Sequence, residues 1–255
     1  MFSVYGRRNH DEQKIRRSES LLNILERTGM KVIWRDNQAG CKGACTGVEL
    51  QKLDKQNQAG LCDGEQCFDE ILLHGLETVL AQANGDLVLV LHQLGNHGPA
   101  YYKRFPPAFR RFEPVCETAD LGKCSREAIV NAYDNALLYT DHFLAQTIAL
   151  LKRQEEKFDT ALIYASDHGE SLGENGLFLH GLPYSIAPKE QTEVPLLMWF
   201  SPGYIKDFSL DMDCLRQRAS KPASHDNLFH SVLGLLDIKT SVYEASLDVA
   251  GQCRR

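Results

Sequence analysis

The chain has 255 residues, 43% of them hydrophobic and 24% charged, and a formal net charge of −6. That length holds a sizeable core in one domain, and the composition is that of a globular protein rather than a disordered or fibrous one. The negative balance argues against broad attraction to nucleic acid, so no nucleic-acid partner is expected, and no apolar run reaches the ~18 residues of a membrane span.

Taken in chain order, residues 18–28 (SESLLNILERT) carry Leu21, Leu22 and Leu25 at helical spacing and stop at Gly29, which predicts a helix. MKVIW (30–34) predicts a strand, and 35–47 a loop holding Gln38 and Lys42. Residues 51–67 read as polar loop, and 68–83 as a helix with Ile71, Leu72, Leu76, Val79 and Leu80 on one side. A strand follows at 87–91, then an irregular Pro- and aromatic-rich stretch at 99–114. Residues 125–152 predict a long amphipathic helix with the stripe Ile129, Tyr133, Ala136, Leu137, Leu144, Ile148 and Leu151. Strands at 161–165 and 194–200 and a helix at 225–236, capped by Asp226, complete the series. Unalternating apolar strands separated by amphipathic helices give an α/β fold class: a mostly parallel central sheet flanked by helices on both faces, in one domain spanning 1–255.

The densest chemical signal is ALIYASDHGESLGENGLFLHG (161–181). A buried strand ends in Asp167, His168 and Glu170, and His180 follows twelve residues after His168. Carboxylate oxygen and imidazole nitrogen suit zinc, and α/β active sites gather at the carboxyl ends of strands. An Asp-His pair in a loop is common in itself. A second junction of the same kind, LVLVLHQLGNHGPAY (87–101), runs from a strand into His92 and His97. Other polar residues have plainer readings. His74, His142 and His230 read as surface or packing residues, Asp134 and Asp141 as a solvated helix face. Tyr101, Tyr102 and Phe105 read equally as a lipid-lining or a packing group.

Six of the eight cysteines form close pairs: Cys41 and Cys45, Cys62 and Cys67, Cys116 and Cys124. Short disulfide loops and zinc ligation are both open on spacing. The absence of a compact ribbon pattern around them, and of a partner for the third pair, favours disulfides. Cys214 and Cys253 pair with each other or with a segment not seen here. Oxidised cysteines need export, yet MFSVYGRRNHDEQKIRRSES has no apolar signal-peptide core. The simplest expectation is that Met1 is not the native start, and that upstream helices carry a longer protein across a membrane.

WRDNQAGCKG (34–43), HQLGNHGPAYYKRF (92–105), NAYDNALLYTD (131–141), SDHGESLGENGLFLHG (166–181) and SHDNLFH (224–230) together resemble the lipid A phosphoethanolamine transferases, in the family's order and along nearly the whole chain. The resemblance implies an alkaline-phosphatase or sulfatase-like catalytic domain on the periplasmic face of the Gram-negative inner membrane, tethered by N-terminal helices. It implies phosphatidylethanolamine as donor, lipid A as acceptor, a link to polymyxin resistance, Zn2+ as cofactor and a covalent threonine intermediate; the protein is expected to be a monomer. By the same resemblance Asp167 and His168 match zinc ligands. His97 and His180 match catalytic histidines that bind a second zinc or the phosphate in flight. Lys42 and Gln38 match substrate-binding positions, and Glu170 supports the metal pair from behind. The family's nucleophilic threonine and a zinc-ligating glutamate match nothing here, since the first threonine is Thr28. The chain is therefore expected to be an N-terminally incomplete catalytic domain, inactive by itself. A sulfatase or phosphodiesterase of the same superfamily, or an inactive truncated product, is the alternative.

Overall fold

A computed structural model describes residues 2–254. Helix α1 (Glu12–Arg17) precedes α2 (Leu21–Arg27), where Ser20 and Asn23 cap each other's backbone N–H groups in a reciprocal box. β1 (Lys31–Asp36) and β2 (Glu49–Lys52) follow, then α3 (Leu76–Gln82), β3 (Leu87–His92) and the long α4 (Arg126–Lys152) with Ser125 as its N-cap. Beyond it lie β4 (Ala161–Ala165), the two-residue strands β5 (Ser171–Leu172) and β6 (Phe178–Leu179), α5 (Lys189–Thr192) and β7 (Leu196–Phe200). α6 (Pro202–Asp207), α7 (Met212–Arg218) and α8 (Asp226–Leu235) close the chain.

β2, β1 and β3 form a parallel sheet in that order, with Trp34 opposite both Leu50 and Val90. β4 and β7 pair antiparallel, Ile163 opposite Met198. Side chains of β3 alternate between two layers. Val88 and Val90 join Leu21, Leu25, Phe229 and Leu233 beneath α2 and α8. Leu87, Leu89 and Leu91 meet Leu76, Leu80 and Leu150 from α3 and α4. Helices thus cover both faces, as expected of an α/β fold, and each large side chain buried this way contributes about 1.5–3 kcal/mol.

The local differences from expectation have physical causes. β2 reads ELQK and is mostly exposed, so it carries no apolar signal. The helix expected over 68–83 breaks into a single turn at 69–72 and α3, because Gly75 takes a left-handed φ of 70° between them. Asp226 is not the cap of α8; it lies in the first turn and accepts from Arg7 N at 2.9 Å, tying the N-terminal segment to this helix. Tyr101 and Phe105 are core residues.

All eight cysteines are paired: Cys41–Cys45, Cys62–Cys67, Cys116–Cys124 and Cys214–Cys253. The sulfurs are bonded to one another, which removes the zinc-ribbon reading of the first two pairs. Among the described residues no helix is long and apolar enough to cross a membrane.

Candidate functional site

The site forms where the chain leaves β3 and β4. Past β3, the loop is held from below by Asp69, a buried carboxylate that accepts from Leu94 N and Gly95 N at 2.8 Å and from Asn37 Nδ2 at 2.7 Å. Burial pushes the Asp69 carboxyl up from its ordinary range, against the pull of those three donors. Thr140 of α4 donates to Asn96 at 2.7 Å, and Arg104 Nε donates to the His97 carbonyl at 2.7 Å. His97 is therefore held through its own carbonyl on one side and through the bonded side chain of Asn96 on the other.

Past β4, His225 Nε2–H donates to the Ser166 carbonyl at 2.7 Å, and Ser166 Oγ donates to the His168 carbonyl at 2.8 Å. Gly169 passes so close to α5 that a Cβ there would lie 2.1 Å from the Glu190 carbonyl, so only glycine fits. The β5–β6 hairpin pairs Ser171 with Leu179, which sets Glu170 and His180 side by side across its open end. The ten-residue separation of those two residues is the hairpin itself.

One ring nitrogen from each of His97, His168 and His180 lies within 4.8 Å of the other two. The His168 and His180 rings stack at 3.8 Å, and His97 stands edge-on at 5.7 Å and 4.9 Å from them. Each Nδ1 has an acceptor: Gly98 O for His97 at 2.8 Å, Gly169 O for His168 at 3.1 Å, a Glu170 oxygen for His180 at 3.0 Å. Carbonyls and carboxylates only accept, so Nδ1 carries the proton and Nε2 keeps its lone pair in each neutral ring. A histidine that donates its other N–H to a carbonyl or carboxylate is the usual form of a metal ligand, so this donor set fits zinc.

Glu170 is buried and also accepts from Tyr101 O–H at 2.9 Å and Gly98 N at 3.3 Å. One carboxylate thus links the His97 loop to His180. Burial, and then Glu170 beside it, raises the Tyr101 phenol, which stays protonated as a donor.

Asp167 flanks the three rings on the His168 side. Its carboxylate is 63% exposed, accepts from His168 N, and lies 3.8 Å from His168 Nε2. Lys42 is exposed, in the loop closed by Cys41–Cys45, with a φ of 47°. Gln38 donates to the Gln93 carbonyl at 2.5 Å. Both line the cavity that His97 and His168 also line. Asp69, Arg104 and His225 are not legible as site residues, because each acts by holding the backbone of a site loop rather than by ligand chemistry of its own. Asp36 carries no such signal either: fully buried, it accepts from His92 Nδ1 at 2.5 Å, Gly40 N at 2.9 Å and Trp34 Nε1 at 3.2 Å.

Residues 1–238 match the sulfatase family model. The chain is 48% identical over 256 residues to the phosphoethanolamine transferase EptA of Salmonella typhimurium, covering 100% of this chain and 47% of that protein. The chain spans about half the length of the relatives it matches. The soluble domain of lipooligosaccharide phosphoethanolamine transferase A from Neisseria meningitidis superposes with a TM-score of 0.96 at 41% identity, covering 100% of this chain and 76% of that one. The C-terminal periplasmic domain of EcEptC from Escherichia coli, solved as a complex with zinc, shares the fold at a TM-score of 0.73 and 22% identity, covering 91% of this chain and 65% of that one. The chain belongs to the sulfatase family and, within it, to the branch of the phosphoethanolamine transferases.

Proposed function

We propose that this chain is the larger part of a zinc-dependent catalytic domain that transfers phosphoethanolamine from phosphatidylethanolamine to lipid A, at the periplasmic face of the Gram-negative inner membrane. The observation that carries the reading is the three-histidine group with every Nδ1 already occupied. His97, His168 and His180 would hold the ion, and Asp167, whose carboxylate lies 3.8 Å from His168 Nε2, would add negative charge beside it. Zinc supplies positive charge for phosphoryl oxygens and lowers the pKa of a hydroxyl bound to it.

The chain's own residues orient and hold. Glu170 keeps His180 and the His97 loop in fixed register, and Tyr101 and Gly98 keep Glu170 there. Lys42 offers an exposed positive charge on the cavity wall for a lipid phosphate, and Gln38 ties the adjoining turn to Gln93. The four disulfides support an oxidising compartment, which agrees with the periplasm. In this reading a threonine from outside the 255 residues is the nucleophile, forming a covalent intermediate, and this chain alone does not turn over.

The test joins this chain to the unmatched portion of the Salmonella relative, in an Escherichia coli strain lacking its own lipid A phosphoethanolamine transferases. Mass spectrometry of extracted lipid A should show the added phosphoethanolamine group, and His168→Ala should remove it. Unmodified lipid A from a folded, membrane-localised protein would overturn the reading.

A further inference from the structure

Asp36 is the last residue of β1 and is fully buried, yet it bonds to none of the three histidines that would hold the metal. Its three donors divide between its two oxygens. Oδ1 accepts from Trp34 Nε1 at 3.2 Å and from His92 Nδ1 at 2.5 Å, both groups of the parallel sheet. Oδ2 accepts from Gly40 N at 2.9 Å. The sheet thus orients the carboxylate, and the other oxygen of the carboxylate holds the turn that follows. That turn needs an outside hold. Gly40, Lys42 and Gly43 all have left-handed φ, at 106°, 47° and 93°. For a lysine this backbone is disfavoured, because Cβ crowds the following carbonyl. Lys42 has no anchor of its own: it is exposed, and neither its ammonium nor its amide has a hydrogen-bond partner among the described residues. The other ties are Gln38 Nε2 to the Gln93 carbonyl at 2.5 Å, before the turn, and the Cys41–Cys45 bridge across it.

We propose that Asp36 is the positioning residue for Lys42: oriented by His92 and Trp34, it holds the Gly40 amide and so sets where the lysine ammonium stands to receive a phosphate. The phosphate role of Lys42 rests on the transferase reading; the holding of the turn does not. A lysine is a point charge on a long flexible stem, so it recognises a phosphate at one place only if its backbone is held there. Bonds from N–H groups to a carboxylate are the strong kind that can do this. The neighbouring residue serves a different loop. Asn37 Nδ2 donates to Asp69 at 2.7 Å, and Asp69 holds Leu94 N and Gly95 N on the way to His97. The end of β1 therefore supports the Lys42 turn through Asp36 and the His97 loop through Asn37, by separate bonds that can be broken separately.

The test begins with amide hydrogen exchange on the unaltered chain, followed by NMR. Relative to free-peptide rates, the Gly40 amide should exchange roughly tenfold or more slower than those of Lys42 and Gly43, which have no acceptor. This comparison needs no variant to fold, and a Gly40 amide as fast as its neighbours overturns the proposal. O-phosphoethanolamine is then titrated into the chain and into the variants Lys42→Ala, Asp36→Ala and the two together. Asp36→Ala should weaken binding roughly tenfold or more, as Lys42→Ala does. On the Lys42→Ala background it should add less than about twofold, because the two residues act as one unit. Zinc affinity should stay within about twofold in Asp36→Ala. Losses that multiply in the double variant, or a zinc affinity that falls in parallel, would mark Asp36 as a general support of the fold and overturn the proposal. If Lys42→Ala leaves phosphoethanolamine binding unchanged, the phosphate role of Lys42 fails, and the Gly40 amide still decides whether Asp36 holds the turn.

Discussion

Glu170 and His180 are ten residues apart in sequence and 3.0 Å apart in space, joined from a carboxylate oxygen to Nδ1 across the mouth of a two-residue hairpin. That bond fixes the tautomer of His180. Through Tyr101 and Gly98, the same carboxylate fixes the loop carrying His97. Glu170→Gln keeps the shape and removes the charge. Zinc affinity of the purified chain, measured by competition with a chromophoric chelator, should fall about 10- to 100-fold with little loss of fold. An unchanged affinity would separate Glu170 from the metal group.

Asp69 acts on the site through backbone alone. Asp69→Ala leaves Leu94 N, Gly95 N and Asn37 Nδ2 without their acceptor in a buried place. Urea unfolding should show a loss of about 3 kcal/mol, and zinc affinity should fall with it because His97 sits at the end of that loop.

His230 makes the fold sensitive to acid. It is buried, accepts from Glu244 N at 3.0 Å, and burial holds its imidazole below the ordinary value. The folded state keeps it neutral, whereas the unfolded chain takes up a proton near pH ~6.5. Its stabilising contribution is therefore complete above about pH 6.5 and is lost as pH falls from there through the depressed folded value. His230→Asn, which retains an acceptor for Glu244 N, should flatten the stability curve in that window when melting temperature is followed against pH.

The Cys214–Cys253 bridge closes a loop of 39 residues and ties the C-terminal segment to α7. In the chain-entropy account such a loop stabilises by about 4 kcal/mol. The double substitution Cys214→Ser with Cys253→Ser should lower stability by about 2–4 kcal/mol in urea unfolding. It should leave the histidine group, which the bridge does not touch, with its zinc affinity intact.

The parts of the molecule written in local pattern were legible before the structure. The strands at β1, β3, β4 and β7, the span of α4, and both His-rich junctions follow from apolar runs and from Gly and His placed at their ends. Pairing partners across the chain were not legible. Nothing in the spacing of Cys214 and Cys253 chooses between each other and an outside thiol. Nothing near Asp69 says that it holds a loop 25 residues away. The stripe on α4 shows where the limit lies: Tyr133, Leu137, Leu144 and Leu151 are apolar and in phase but line the large cavity, while the polar Asn135 and Thr140 are buried away from it. Periodicity identifies an apolar face without identifying what covers it.

The most direct test of the central claim is zinc X-ray absorption on the purified chain loaded with one equivalent of the metal. The account predicts a shell of three imidazole nitrogens at roughly 2.0–2.1 Å, which collapses when His97, His168 and His180 are replaced together by alanine. A chain that takes up no zinc, or zinc whose shell is unchanged in the triple variant, would contradict it.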